Sequence, residues 1–66
     1  MEFGERLKET LTWKGITQTE FAKIINVKKC SVTDWIKGRS APNLELFCRI
    51  CLALNETPNY FLGFDD

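Results

Sequence analysis

Apolar residues recur four apart at Phe3, Leu7 and Leu11, with charged and polar residues filling the positions between them. That spacing is one stripe of an amphipathic helix and predicts a first helix from Glu2 to Lys14, stopped by a left-handed Gly15. Thr10 falls on the same stripe, where its hydroxyl can bond back to a carbonyl one turn earlier. "ITQTEF" follows with the chemistry of a helix start: Thr17 and Glu20 have capping-box spacing, and Ile16 and Phe21 flank them as a hydrophobic staple. A second helix, Gln18 to Ile25, then buries Phe21, Ala22 and Ile25, and Asn26 takes the left-handed position after it.

A third helix is expected over about Lys29 to Lys37, with Val32, Trp35 and Ile36 inward and Gly38 as its stop. After "RSAPN", Asn43 is placed to cap a fourth helix whose apolar set is Leu44, Phe47, Cys48, Ile50, Cys51 and Leu54. Thr57 caps a short fifth helix with Pro58 at its first position, packed through Tyr60, Phe61 and Leu62. No segment alternates with period two over strand length. The pattern therefore predicts an all-α domain of five short helices.

Length bounds what such a domain can do. A chain of 66 residues makes a single domain, 1–66, and buries only about 60% of its unfolded surface, too little for a catalytic cleft of ordinary size. No apolar run approaches the ~18 residues that span a bilayer, and the acidic, amphipathic start is unlike a secretion signal. Three cysteines make no disulfide framework and point to a reducing compartment, with the cytoplasm as the expected location.

The net charge of zero conceals a strong asymmetry. Residues 1–22 carry −1, residues 23–39 carry +4 and residues 40–66 carry −3. The positive block holds Lys23, Lys28, Lys29, Lys37 and Arg39 against Asp34 alone. Two of these lysines break a local rule, because a helix start bears partial positive charge and favours Ser, Thr, Asp or Asn at its cap and acids in its first turn. Two short helices joined by a tight turn, the second flanked by bases, form the helix-turn-helix arrangement, whose second helix enters the DNA major groove.

The stretch from Ile16 to Gly63 resembles the Cro/phage-repressor family, the XRE-type, lambda-repressor-like helix-turn-helix proteins, and the similarity covers nearly the whole chain, from Phe3 to Gly63. The resemblance is carried by Thr17-Gln18-x-Glu20-x-Ala22, Trp35-x-x-Gly38, Pro42-x-Leu44 and Tyr60-Phe61-Leu62-Gly63, in that order and spacing. It implies a double-stranded DNA operator as partner and answers the misplaced lysines: unfavourable at a helix start in the free protein, they face a polyanion in the complex. A local rule broken at a functional site is where sequence consistency yields to function.

By the resemblance, Lys29 holds the main base-reading position, suited to guanine O6 and N7, and Lys28 at the cap reaches phosphate or base. Cys30, Thr33 and Asp34 take the other groove-facing positions, Thr33 suited to a thymine methyl or a polar edge and Asp34 to cytosine N4 or to repelling wrong registers. Thr17 and Gln18 on one side and Lys37, Arg39, Ser40 and Asn43 on the other are expected to hold phosphates. The family's two-fold dimer on a palindromic operator, with half-sites about 34 Å apart, places Glu56, Pro58, Asn59 and Phe64 at the interface, with dimerisation weak or confined to DNA. Neither a cofactor nor a small-molecule ligand is implied.

Many relatives pair an Arg in helix one with a Glu after the tryptophan; Leu11 and Ile36 stand there, an expected exchange of an ion pair for an apolar contact. Cys48-Arg49-Ile50-Cys51 has metal-site spacing, but four ligands cannot be assembled without histidine, and core packing is the expectation for both thiols. Cys30 is expected to be exposed at a helix start beside lysines, as a small contact residue. Without histidine no Ser/His/Asp or Cys/His set exists, so catalysis is not expected. Trp35 reads as core and Trp13 as exposed. Two rivals share the fold: a protein-interaction module that does not bind DNA, and the DNA-binding antitoxin of a toxin–antitoxin pair.

Overall fold

Gly4 sets how closely the first and third helices approach. The computed structural model describes residues 2–63. It contains five helices: α1 (Glu2–Lys14), α2 (Gln18–Ile24), α3 (Lys29–Lys37), α4 (Leu44–Leu54) and α5 (Pro58–Leu62). A Cβ at Gly4 would collide with the backbone carbonyls of Trp35 and Ile36. Only glycine lets α1 lie this close against the last turn of α3. α1 also packs on α5, and α2 packs on α3.

Local chemistry accounts for the helix limits. Thr17 Oγ1 accepts from Glu20 N at 3.1 Å while Thr17 N donates to the Glu20 carboxylate at 2.9 Å, the full capping box. Asn43 accepts from Leu46 N, and Thr57 from Tyr60 N, at the starts of α4 and α5. Left-handed residues close the other ends: Gly15, Asn26, Gly38, Asn55 and Gly63 all have φ between 56° and 82°. After Asn26, Val27 N reaches back to Ala22 O at 2.9 Å, and after Gly15, Ile16 N reaches Leu11 O at 2.9 Å. These backward bonds satisfy carbonyls that a helix end leaves free, and the residue making each of them packs on the core.

The core runs through all five helices: Phe3, Leu7 and Leu11, then Phe21 and Ile25, Val32 and Trp35, Ile50 and Leu54, and Phe61. Burying each such side chain contributes about 1.5–3 kcal/mol. Phe3, Phe47 and Phe61 meet edge to face, with centroids 5.5–6.2 Å apart. Thr10 is buried; its hydroxyl donates to Arg6 O at 2.8 Å and pairs with the Tyr60 hydroxyl at 3.3 Å. The bond back one turn is the one its place on the stripe predicts.

Four expectations need correction. Leu62, expected to pack the fifth helix with Tyr60 and Phe61, is 49% exposed, because the single turn of α5 that carries Phe61 into the core turns its neighbour outward. α2 ends at Ile24, one residue early, although Ile25 is buried as the capping residue. In α4, Leu44 is 79% exposed, and Cys48 is exposed while Cys51 is buried. The helix is apolar nearly all round, and its buried stripe is Phe47, Ile50, Cys51 and Leu54, spaced i, i+3, i+4, i+7, with Leu46 at one edge. Leu44 and Cys48, four apart, fall beyond the other edge. Burial pushes the Cys51 thiol up from its ordinary value, so this buried thiol is poorly disposed to act as a thiolate.

Candidate nucleic-acid interface

α3 divides into two faces. Val32 and Trp35 point into the core, while Lys29, Cys30 and Lys37 are exposed and Thr33 and Asp34 are half-buried. Lys28 occupies the cap with extended backbone, makes no side-chain cap bond, and no acid follows in the first turn. The first turn of α3 therefore presents backbone N–H groups and two ammonium groups, with no counter-charge of its own.

The turn between α2 and α3 is short, and one side-chain bond spans it. Thr33 Oγ1 donates to Gln18 Oε1 at 2.9 Å, joining the middle of α3 to the first residue of α2. By the resemblance these two are independent DNA contacts, Thr33 to a base and Gln18 to a phosphate. The structure brings them together, with Gln18 also half-buried. Because its oxygen is occupied, the Gln18 amide keeps its two N–H donors for another partner.

On the other side, Arg39 and Asp34 form an ion pair at 3.7 Å, and Arg39 N donates to Asp34 O at 2.9 Å as the helix ends. The Arg39 side chain is exposed and that of Asp34 half-exposed, so solvent screens the attraction. Ser40 is exposed beside them. Asn43 is exposed too, but its side-chain oxygen is engaged as the α4 cap, leaving its amide N–H groups for outside partners. Thr17 is likewise committed to its capping box through its oxygen.

Away from α3 the surface is acidic and aromatic. Glu5, Glu9 and Glu56 rim an open groove beside Trp13 and Tyr60. Trp13 is 82% exposed, with the Lys14 ammonium 5.7 Å from its ring centre. Arg6 lies over the Tyr60 ring at 5.0 Å. Among the residues expected at a dimer interface, Pro58 and Asn59 are exposed and Glu56 is half-buried. Phe64 lies outside the described residues. Leu11 and Ile36 both line one small cleft, the first buried and the second half-buried.

Two helices closed by a left-handed Asn26, the second offering a basic outer face, carry the same order of elements that the sequence resemblance implies. The helix-turn-helix family's sequence model matches residues 7–61. The chain belongs to the XRE-type helix-turn-helix family. It is also 36% identical over 45 residues to the HTH-type transcriptional activator BcrR of Enterococcus faecalis. That match covers 68% of this chain and 22% of the relative, so the shared part is about a fifth of the relative's length. Among the described residues of this family member, no helix is long and apolar enough to cross a membrane.

Lys8 is exposed on α1 and lines both the acidic groove and the cleft that Thr17 and Gln18 share with Ile36 of α3. Its place on the polar side of the first stripe was visible, but its neighbours come from two other elements.

Proposed function

We propose that this chain is a sequence-specific DNA-binding regulator of transcription that lays α3 in the major groove of an operator. The observation that carries this reading is the uncapped, acid-free start of α3, where Lys28 and Lys29 stand exposed on a helix whose opposite face is buried. Lysines there oppose the helix dipole in the free protein and gain a polyanionic partner in the complex. Membership of the helix-turn-helix family supports the reading.

In this arrangement Lys29 reads a base edge, with Lys28, Cys30, Thr33 and Asp34 around it. Thr17, Gln18, Lys37, Arg39, Ser40 and Asn43 fix the register through phosphates. Two copies occupy a palindromic site with half-sites about 34 Å apart, meeting through the region of Glu56, Pro58, Asn59 and Phe64. Bound over a promoter, the dimer represses by exclusion. The name of the enterococcal relative favours a second mode, activation from a neighbouring site, and a promoter-reporter measurement separates the two.

Selection of bound duplexes from a random pool, followed by affinity measurements across salt concentration, tests the function. The expected result is one enriched palindrome, bound with an affinity that falls steeply as salt rises. Failure to enrich any duplex, with no salt-dependent DNA binding, overturns it and leaves a protein-interaction module on the same fold.

A further inference from the structure

The formal charge of the chain sums to zero, but on the folded surface the two signs stand apart. The open groove between α1 and the start of α5 has a volume of about 800 Å³. Glu5, Glu9 and Glu56 edge it, Lys8 is the only cation in its lining, and the rings of Trp13 and Tyr60 form its aromatic wall. These three carboxylates form no ion pair among the described residues. Each ring already holds a cation of this chain, Arg6 over Tyr60 and Lys14 over Trp13, but Trp13 stays largely exposed. An open indole beside carboxylates attracts a further cation. The complementary surface lies on the same chain: Lys28 and Lys29 open α3 with no side-chain cap bond, no acid in the first turn and no ion pair among the described residues. A chain of zero net charge lacks the repulsion that keeps copies of a charged protein apart.

We propose that the groove docks a second copy of this chain, which lays the Lys28–Lys29 start of its α3 among the carboxylates of Glu5, Glu9 and Glu56 and against the Trp13 indole. The two patches differ, so the contact is heterologous: every copy keeps a free groove at one end and free lysines at the other, and copies add head to tail. Exposed ion pairs contribute little each and are screened by salt, which confines the contact to low ionic strength and high protein concentration. Lysines held in a groove cannot meet a duplex. Resting on the DNA-binding reading, operator DNA therefore takes the copies apart, and the groove holds back α3 until DNA displaces it.

Sedimentation of the full chain without DNA tests the contact. In low salt the average mass is expected to rise with concentration, and the rise to vanish in about 1 M salt, where the Debye length falls to about 3 Å. The double variants Lys28→Gln/Lys29→Gln and Glu5→Gln/Glu9→Gln each lack one half of the contact and are expected to lose the rise. Glu45→Gln, outside the groove, keeps it. Mixing the two defective proteins restores association and stops it at one to one, because only one intact groove and one intact lysine pair can meet. With either partner nitrogen-labelled in that mixture, amide shifts are expected around Lys28 to Cys30 in the groove variant and around Trp13 and Tyr60 in the lysine variant. All four substituted positions are exposed, and melting temperatures confirm that each protein is folded. A parent that stays monomeric in low salt overturns the inference, as does self-association that both double variants keep, the behaviour of a two-fold pair; either result leaves the DNA reading standing. A parent that associates as expected but enriches no duplex overturns the DNA reading alone.

Discussion

Thr33 donates its hydroxyl to Gln18 Oε1 at 2.9 Å, so the two helices of the motif are tied by a side-chain bond as well as by their turn. With the oxygen held by α3, the Gln18 amide keeps its N–H groups for another partner. Thr33→Val keeps the shape and removes the donor. It is expected to lower stability by about 0.5–1.5 kcal/mol, to weaken operator binding, and to leave base preference intact. Thr33→Ser restores both. Denaturant unfolding and DNA titration check this, and a Thr33→Val variant with altered base preference would return Thr33 to the base-reading set.

Lys28 and Lys29 should fail differently when truncated. Lys29→Ala is expected to lose about 1–3 kcal/mol per half-site and to relax discrimination at one base pair. Lys28→Ala should weaken all sequences alike and reduce the salt slope by about one per half-site. Each removes a cation from a helix start that opposes it by about 0.3–1 kcal/mol, so neither should destabilise the free protein. Thermal melts beside the binding curves decide: loss of stability with undiminished binding would make these lysines structural.

Asp34 restrains Arg39 through a screened ion pair 3.7 Å long. Asp34→Asn should change stability by less than about 1 kcal/mol. On DNA it removes a negative charge from the approaching face and frees Arg39, so affinity is expected to rise on cognate and random duplexes together. A rise on the cognate duplex alone, or a change of preferred base opposite this position, would show Asp34 acting as a reader.

The capping box ties the start of α2 to pH. Hydrogen bonding from the Thr17 backbone N–H, then from its side chain, holds the Glu20 carboxyl below its usual range, with a smaller contribution from Lys23. A carboxylate lowered on folding contributes stability that is complete above its unfolded value and lost as pH falls through the folded one. The parent should therefore be more stable than Glu20→Gln at neutral pH, the gap closing as acid takes the medium through and below the carboxylate range. Melting temperatures of the two proteins across that range measure it, and a gap that stays constant would refute the linkage.

Gly4→Ala pushes a methyl into the carbonyls of Trp35 and Ile36. Overpacking of this kind costs about 1–3 kcal/mol, which for a domain this small lowers the melting temperature by roughly 4–8 °C per kcal/mol. A scanning melt tests it. An unchanged melting temperature would mean that α1 and α3 can separate without loss.

Helix limits were legible because their determinants are local. Thr17 with Glu20, Asn26, Gly38 and Asn43 each act within four residues of themselves, and the residue types announce the geometry. α4 is ambiguous in sequence because nine apolar residues in eleven positions leave periodicity without contrast, and only the packing of Phe47 and Ile50 decides which stripe turns inward. Gly4 reads as a weak helix former until α3 is seen against it. The Thr33–Gln18 bond joins residues fifteen apart whose individual chemistry suits solvent or DNA equally well. Lys8 gained its place beside Gln18 only when three helices converged.

The division of α3 into an inward and an outward face separates two kinds of constraint. Val32 and Trp35 hold the helix in place, and the glycine under its last turn fixes its depth, whereas Lys28, Lys29 and Cys30 make no side-chain contribution to the core. Substitutions at those outer positions can accumulate without refolding the domain. On the proposed DNA-binding reading, the same scaffold is readdressed to a different operator by exchanging a few exposed residues, so that recognition diverges faster than architecture.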